Sequence, residues 1–80
     1  MNWKIDWEGN ELMLVSVAGR LVARFAPEFR DEVLSKMTPE SNVLFDLSQM
    51  DHIDSSGLGA LVQILQKAKS NGKRVVLTHI

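Results

Sequence analysis

Six residues, Asp54-Ser55-Ser56-Gly57-Leu58-Gly59, join an extended apolar run to an amphipathic segment, and that junction limits what the chain can fold into. Before it stands Asn42-Val43-Leu44-Phe45-Asp46-Leu47. After it, Leu58, Leu61, Val62, Leu65 and Ala68 recur at helical spacing through residues 58–69. A strand that feeds a helix and then another strand requires a crossover, which makes the two strands parallel. The junction also sets two adjacent hydroxyls at a helix start, where backbone N–H groups lack partners and the helix dipole is positive. Asp54, Ser55 or Ser56 can cap the helix, and a serine there can also carry a phosphate in a site suited to an anion. Spacing alone favours capping, and the two jobs are compatible.

The rest of the chain supplies the other layers. Trp3, Ile5 and Trp7 alternate with Lys4 and Asp6, the pattern of a half-buried strand. Glu8-Gly9-Asn10 marks a turn, and residues 12–18 form a second strand, apolar on both faces and therefore inside the sheet. Residues 19–25 are a connector. Pro27 and Glu28 open a first helix carrying Phe29, Val33, Leu34 and Met37 on one face and Arg30, Asp31, Glu32 and Lys36 on the other. Pro39 ends it near Met37. Val43-Leu44-Phe45-Asp46-Leu47 reads as an interior strand with Asp46 at its C-terminal end, and Ser48-Gln49-Met50-Asp51 as a polar turn. Gln63, Gln66, Lys67 and Lys69 should face water, Asn71-Gly72 stops the second helix, and residues 74–80 form the last strand. The predicted fold is α/β: a small mixed β-sheet in the order β-β-α-β-α-β, the first strand antiparallel to the rest, with helices packed on at least one face. One domain over residues 1–80 is all that such a length allows.

Charge and composition narrow the function. A net charge of -1 leaves no electrostatic footprint for nucleic acid. There is no cysteine, hence no disulfide and no thiolate metal site. No apolar stretch is long enough for membrane insertion, and Met1-Asn2-Trp3-Lys4-Ile5-Asp6 is not a secretory leader, so the expected location is cytoplasmic. His52, Asp51 or Asp54, and Ser55 or Ser56 contain the letters of a catalytic triad, but all lie within a few residues on one turn, whereas such triads draw on separated elements. The Gly-x-Ser-x-Gly elbow is also missing. No catalytic residue is assigned, and the protein is not expected to be an enzyme. His52 and His79 have no ligand cluster around them, so no metal is expected. Gly57 and Gly59 lack the Gly-Lys-[Ser/Thr] ending of a phosphate-binding loop and are better used to let the helix start approach the sheet. Lys67, Lys69, Lys73 and Arg74 read as a solvated helix end, and Trp3 and Trp7 as packing residues.

At the junction the chain resembles the STAS domain, the family of bacterial anti-sigma factor antagonists. Val43-Leu44-Phe45-Asp46-Leu47-Ser48 resembles the family's apolar strand ending in Asp-Leu-Ser, and Ile53-Asp54-Ser55-Ser56-Gly57-Leu58-Gly59-Ala60-Leu61 resembles its signature almost letter for letter. Gly19-Arg20-Leu21, Ala26-Pro27, and Gly72 with Val75-Val76-Leu77 resemble further landmarks.

The resemblance implies a binding protein that switches partners. Unphosphorylated, it would sequester an anti-sigma factor that is also a serine kinase. Phosphorylation on the second serine, Ser56 (Ser55 less favoured), would release that partner, and a serine phosphatase would reverse the step. Asp54, Ser55, Gly57 and Leu58 would shape the docking surface, with Val22 and Arg24 on a neighbouring loop. ATP belongs to the kinase, so no cofactor is implied. An alternative within the same family is an accessory subunit of a transport assembly, such as a lipid transporter, without phosphorylation. Val22 departs from the aspartate common at that position, which bears on partner identity. The chain also ends at Ile80, where family members continue with another helix and strand, so it reads as a shortened member or a fragment. Its last strand would then have an open edge and build a homodimer through the C-terminal strand.

Overall fold

The structure is a computed structural model, which describes residues 1–78. Four strands and two helices follow one another as β1 (Asn2–Glu8), β2 (Leu12–Leu21), α1 (Ala26–Lys36), β3 (Asn42–Ile53), α2 (Ser55–Ser70) and β4 (Val75–Thr78). The sheet order is β1-β2-β3-β4. β1 pairs with β2 antiparallel, and β2, β3 and β4 are mutually parallel. The order and strand directions match the expectation, including β2 inside the sheet, and β1 forms an edge.

Alternation decides which face is buried. Trp3, Ile5 and Trp7 pair with Val17, Val15 and Met13, and this row continues through Val43 and Phe45 to Val75 and Leu77, although Trp7 at the end of the edge strand is exposed and not packed as expected. Both helices lie over that face. Phe29 and Val33 of α1 and Ala60, Leu61 and Ile64 of α2 join Met13, Val15, Val17, Val43, Phe45 and Leu47 in one core. Phe29 is its centre: its ring meets Trp3 edge-on at 5.6 Å and Phe45 at 6.3 Å. The indole N–H of Trp3 donates to Glu32 Oε2 at 2.9 Å, so the aromatic body packs while its polar edge stays satisfied. The opposite face, with Leu14, Leu44 and Val76 in register, carries neither helix.

Three elements differ from the expectation. β2 runs on past Ala18 to Leu21, so the first residues of the predicted connector are strand. Ser48-Gln49-Met50-Asp51 is strand as well, not turn, because β3 continues to Ile53 to pair with that extension. The pairing passes irregularities between Ser16 and Ala18 and between Gly19 and Arg20, and Gly19 takes φ 90° there, a conformation that suits glycine. Asp46 therefore sits within β3, not at its end, and its Oδ1 accepts from the Ser48 N–H at 3.0 Å. The third difference is the buried face of α2. Gly57, Ala60, Leu61, Ile64 and Ala68 are buried, whereas Leu58, Val62 and Leu65 of the predicted stripe are 56%, 43% and 39% exposed. Among the described residues the last strand is Val75–Thr78, and the predicted extension over His79 and Ile80 lies outside them.

Candidate functional site

The C-terminal ends of β2 and β3 deliver two loops side by side. Leu21 and Ile53 are paired neighbours, so residues 22–25 and the start of α2 leave the sheet together. Asp54 locks the two. Its backbone N–H donates to the Leu21 carbonyl at 3.3 Å, and its Oδ2 accepts from the Ala23 N–H at 3.0 Å. Its Oδ1 accepts from the Gly57 N–H at 2.9 Å, which makes Asp54 the N-cap of α2. The hydrogen bond from Gly57 is the main reason the Asp54 carboxyl is held below its ordinary value of 3.8; Ala23, Ser56 and the nearby His52 add to the effect against an opposing desolvation.

With the cap supplied by Asp54, neither serine has to act as one. Helix α2 begins at Ser55, three residues earlier than the apolar periodicity placed it. Ser55 and Ser56 are exposed in its first turn, and neither hydroxyl makes a hydrogen bond within the described residues. Gly57 is buried beneath them. A Cβ at Gly57 would collide with the Leu21 carbonyl oxygen and stand 2.9 Å from Ile53 Cγ1 and Leu21 Cγ. Gly59 is different, since a Cβ there meets nothing within 4 Å. Only the first glycine is needed for close approach.

Helical geometry sends the two hydroxyls to different surfaces. Ser55 heads the row Leu58, Val62 and Leu65, the exposed apolar ridge. Ser56 heads the row Gly59, Ala60 and Gln63, which faces α1 across a groove of about 290 Å³. Ala26, Pro27 and Arg30 form its opposite wall. Arg30, expected on the polar face of α1 with no role, is half-buried at the groove. No local pattern marks it, since its place at the groove depends on how the two helices sit against each other. Val22 and Arg24 are carried on the loop beside Asp54, as expected. The Val22 carbonyl accepts from the N–H groups of Phe25 and Ala26, each at 2.9 Å, and the exposed Arg24 guanidinium lies 5.4 Å from the Phe25 ring centre. His52 is exposed near the end of β3, opposite Arg20. Among the described residues no group of His, Cys, Asp and Glu is arranged to hold a metal, and no helix is long and apolar enough to cross a membrane.

The model of the STAS domain family matches residues 5–80. The anti-sigma factor antagonist SpoIIAA in its unphosphorylated form superposes with a TM-score of 0.82 at 14% identity, over 95% of this chain and 71% of that one. The phosphorylated form of the Bacillus protein gives 0.81, also at 14% identity, over 95% and 70%. Mglu is similar at a TM-score of 0.82 and 19% identity, but the chain covers 96% of itself and only 19% of Mglu. The murine anion transporter Solute Carrier 26 family member A9 gives 0.72 at 20% identity, over 86% of this chain and 12% of that one. At these identities the solved structures show a shared fold.

Proposed function

This chain belongs to the STAS domain family, and we propose that it works as an anti-sigma factor antagonist, a non-enzymatic, cytoplasmic binding protein whose partner is switched by phosphorylation of Ser56. Unmodified, it sequesters an anti-sigma factor that is also a serine kinase. In the reverse step Ser56 Oγ attacks the γ-phosphorus of ATP held by that kinase. ADP leaves, the hydroxyl proton passes to a base of the kinase, and a serine phosphatase later hydrolyses the phosphoester. Docking uses Ser55, Ser56 and Leu58, flanked by Val22 and Arg24, while Asp54 and the buried Gly57, which offers no surface of its own, support the turn from behind.

The observation that carries this reading is the pairing of an exposed Ser56 with a cap made by Asp54. A hydroxyl that makes no hydrogen bond within the described residues can be modified without loss of the helix start. The phosphoryl group adds about two negative charges at a surface matched to a neutral group. The similarity to SpoIIAA in both its forms supports a fold that tolerates the modification. The test is incubation with serine kinases of the anti-sigma type followed by mass mapping. Phosphate on Ser56, absent in Ser56→Ala, supports the proposal. No phosphate, with equal binding of Ser56→Ala and Ser56→Asp, defeats it.

A second reading, a STAS unit in a transport assembly without phosphorylation, draws on the likeness to the murine anion transporter. It predicts stable association with a membrane component that Ser56→Asp leaves unchanged. β4 lies at the edge of the sheet among the described residues. Under either reading we propose homodimerisation along that edge, and sedimentation as a monomer at high concentration would exclude it.

A further inference from the structure

The groove beside Ser56 contains one charged side chain among the described residues, that of Arg30. The remaining lining is small or neutral, and a volume of about 290 Å³ exceeds the share of several water molecules at roughly 30 Å³ each. Arg30 is half-buried, and its Nε donates to the exposed carboxylate of its neighbour Asp31 at 2.9 Å. That bond engages one nitrogen of the guanidinium, and the fork of donors suits a phosphoryl group better than a single exposed carboxylate oxygen.

We infer that Arg30 is the intramolecular receptor for the phosphoryl group of phosphorylated Ser56, drawing it into the groove and bridging the first turn of α2 to α1. The inference rests on the proposed modification of Ser56 and extends it to how the modified state is held. Among the described residues, no other charged residue near the junction, Arg20, Arg24, Asp51 and Asp54 included, lines the groove. The Asp54 carboxylate, with His52 nearby, is occupied by Gly57 and Ala23 and would repel the dianion towards the groove. Arg24 lies over the Phe25 ring, and Glu28 is exposed on α1 and does not line the groove. Arg30 exchanges part of its pairing with Asp31 for the stronger acceptor. The same geometry separates the two serines, because Ser55 heads the ridge and not the groove.

The experiment uses protein carrying phosphoserine installed at position 56 during synthesis, so that no kinase is needed. The second ionisation of the phosphate, ordinarily near pH 6, is followed by phosphorus NMR. Arg30→Ala is expected to raise that pKa by about half to one unit, Arg30→Lys by less, and Lys36→Ala not at all. Phosphoserine at position 55 is expected to be insensitive to Arg30→Ala. An unchanged pKa in a folded Arg30→Ala protein, or an equal shift at both serine positions, overturns the inference. Arg30→Gln, which keeps more of the side chain, gives the same readout should the alanine variant fold poorly. Failure of every kinase to modify Ser56 would strike the functional proposal and leave this measurement standing.

Discussion

Asp54 Oδ2 accepts the backbone N–H of Ala23 at 3.0 Å, and through that bond one carboxylate joins the loop after β2 to the helix after β3. The other oxygen of the same group caps α2 through Gly57. Removing the side chain should therefore disturb two elements together. Asp54→Ala is expected to lower the unfolding midpoint and to raise hydrogen exchange at both Ala23 and Gly57. Loss of protection at Gly57 alone would show that the tie to the loop carries no weight.

The same carboxylate sets a pH dependence. Its folded pKa lies below the ordinary 3.8, chiefly because the Gly57 N–H stabilises the ionised form. The unfolded chain then binds more protons in the acid range, so stability rises with pH there. The contribution of Asp54 is full above the unfolded value and is lost as pH falls through the folded one. Urea unfolding of the native protein and of Asp54→Asn, measured from neutral pH down to about pH 3, should converge at the acid end. Parallel curves would show that Asp54 is not responsible.

Gly57 and Gly59 look alike in the sequence and should behave oppositely. Gly57→Ala forces a Cβ against the Leu21 carbonyl, and overpacking of this kind costs about 1–3 kcal/mol. Gly59→Ala fills open space within a helix and should stabilise by about 0.5–1 kcal/mol. Chemical denaturation of the two variants checks both signs.

The ridge of Leu58, Val62 and Leu65 should matter for binding and not for folding. Val62 is 43% exposed, so Val62→Glu is expected to change stability by no more than about 0.5 kcal/mol. If the anti-sigma partner docks there, its affinity should fall at least about tenfold, which is 1.4 kcal/mol. Calorimetric titration of the partner with the native and variant proteins measures the difference.

Much of this architecture was legible beforehand because local and global signals agreed. Trp3-Lys4-Ile5-Asp6-Trp7 alternates as an edge strand must, and Phe29 and Val33 mark the buried face of α1 by spacing alone. The serine junction was legible from its composition. The extension of β3 was not, because Ser48, Gln49 and Asp51 are polar, and what makes them strand is pairing with residues 18–21, far back in the chain. The face of α2 was ambiguous because apolar residues occupy most of its circumference. Leu61 and Ala68 of the predicted stripe are buried, but Gly57, Ala60 and Ile64 complete the buried face in place of Leu58, Val62 and Leu65, and the small Gly57 and Ala60 let the helix settle on the sheet. Arg30 was invisible as a site residue because its role depends on how two helices sit against each other.

A dianion on Ser56 is expected to change docking without changing the fold. The direct test compares unmodified protein with protein carrying phosphoserine at position 56, measuring affinity for an anti-sigma serine kinase and the urea midpoint on the same samples. The account predicts an affinity loss of about tenfold or more, 1.4 kcal/mol, with the cooperative unfolding transition retained. Equal affinity in the two forms, or a modified protein that no longer folds, would contradict it.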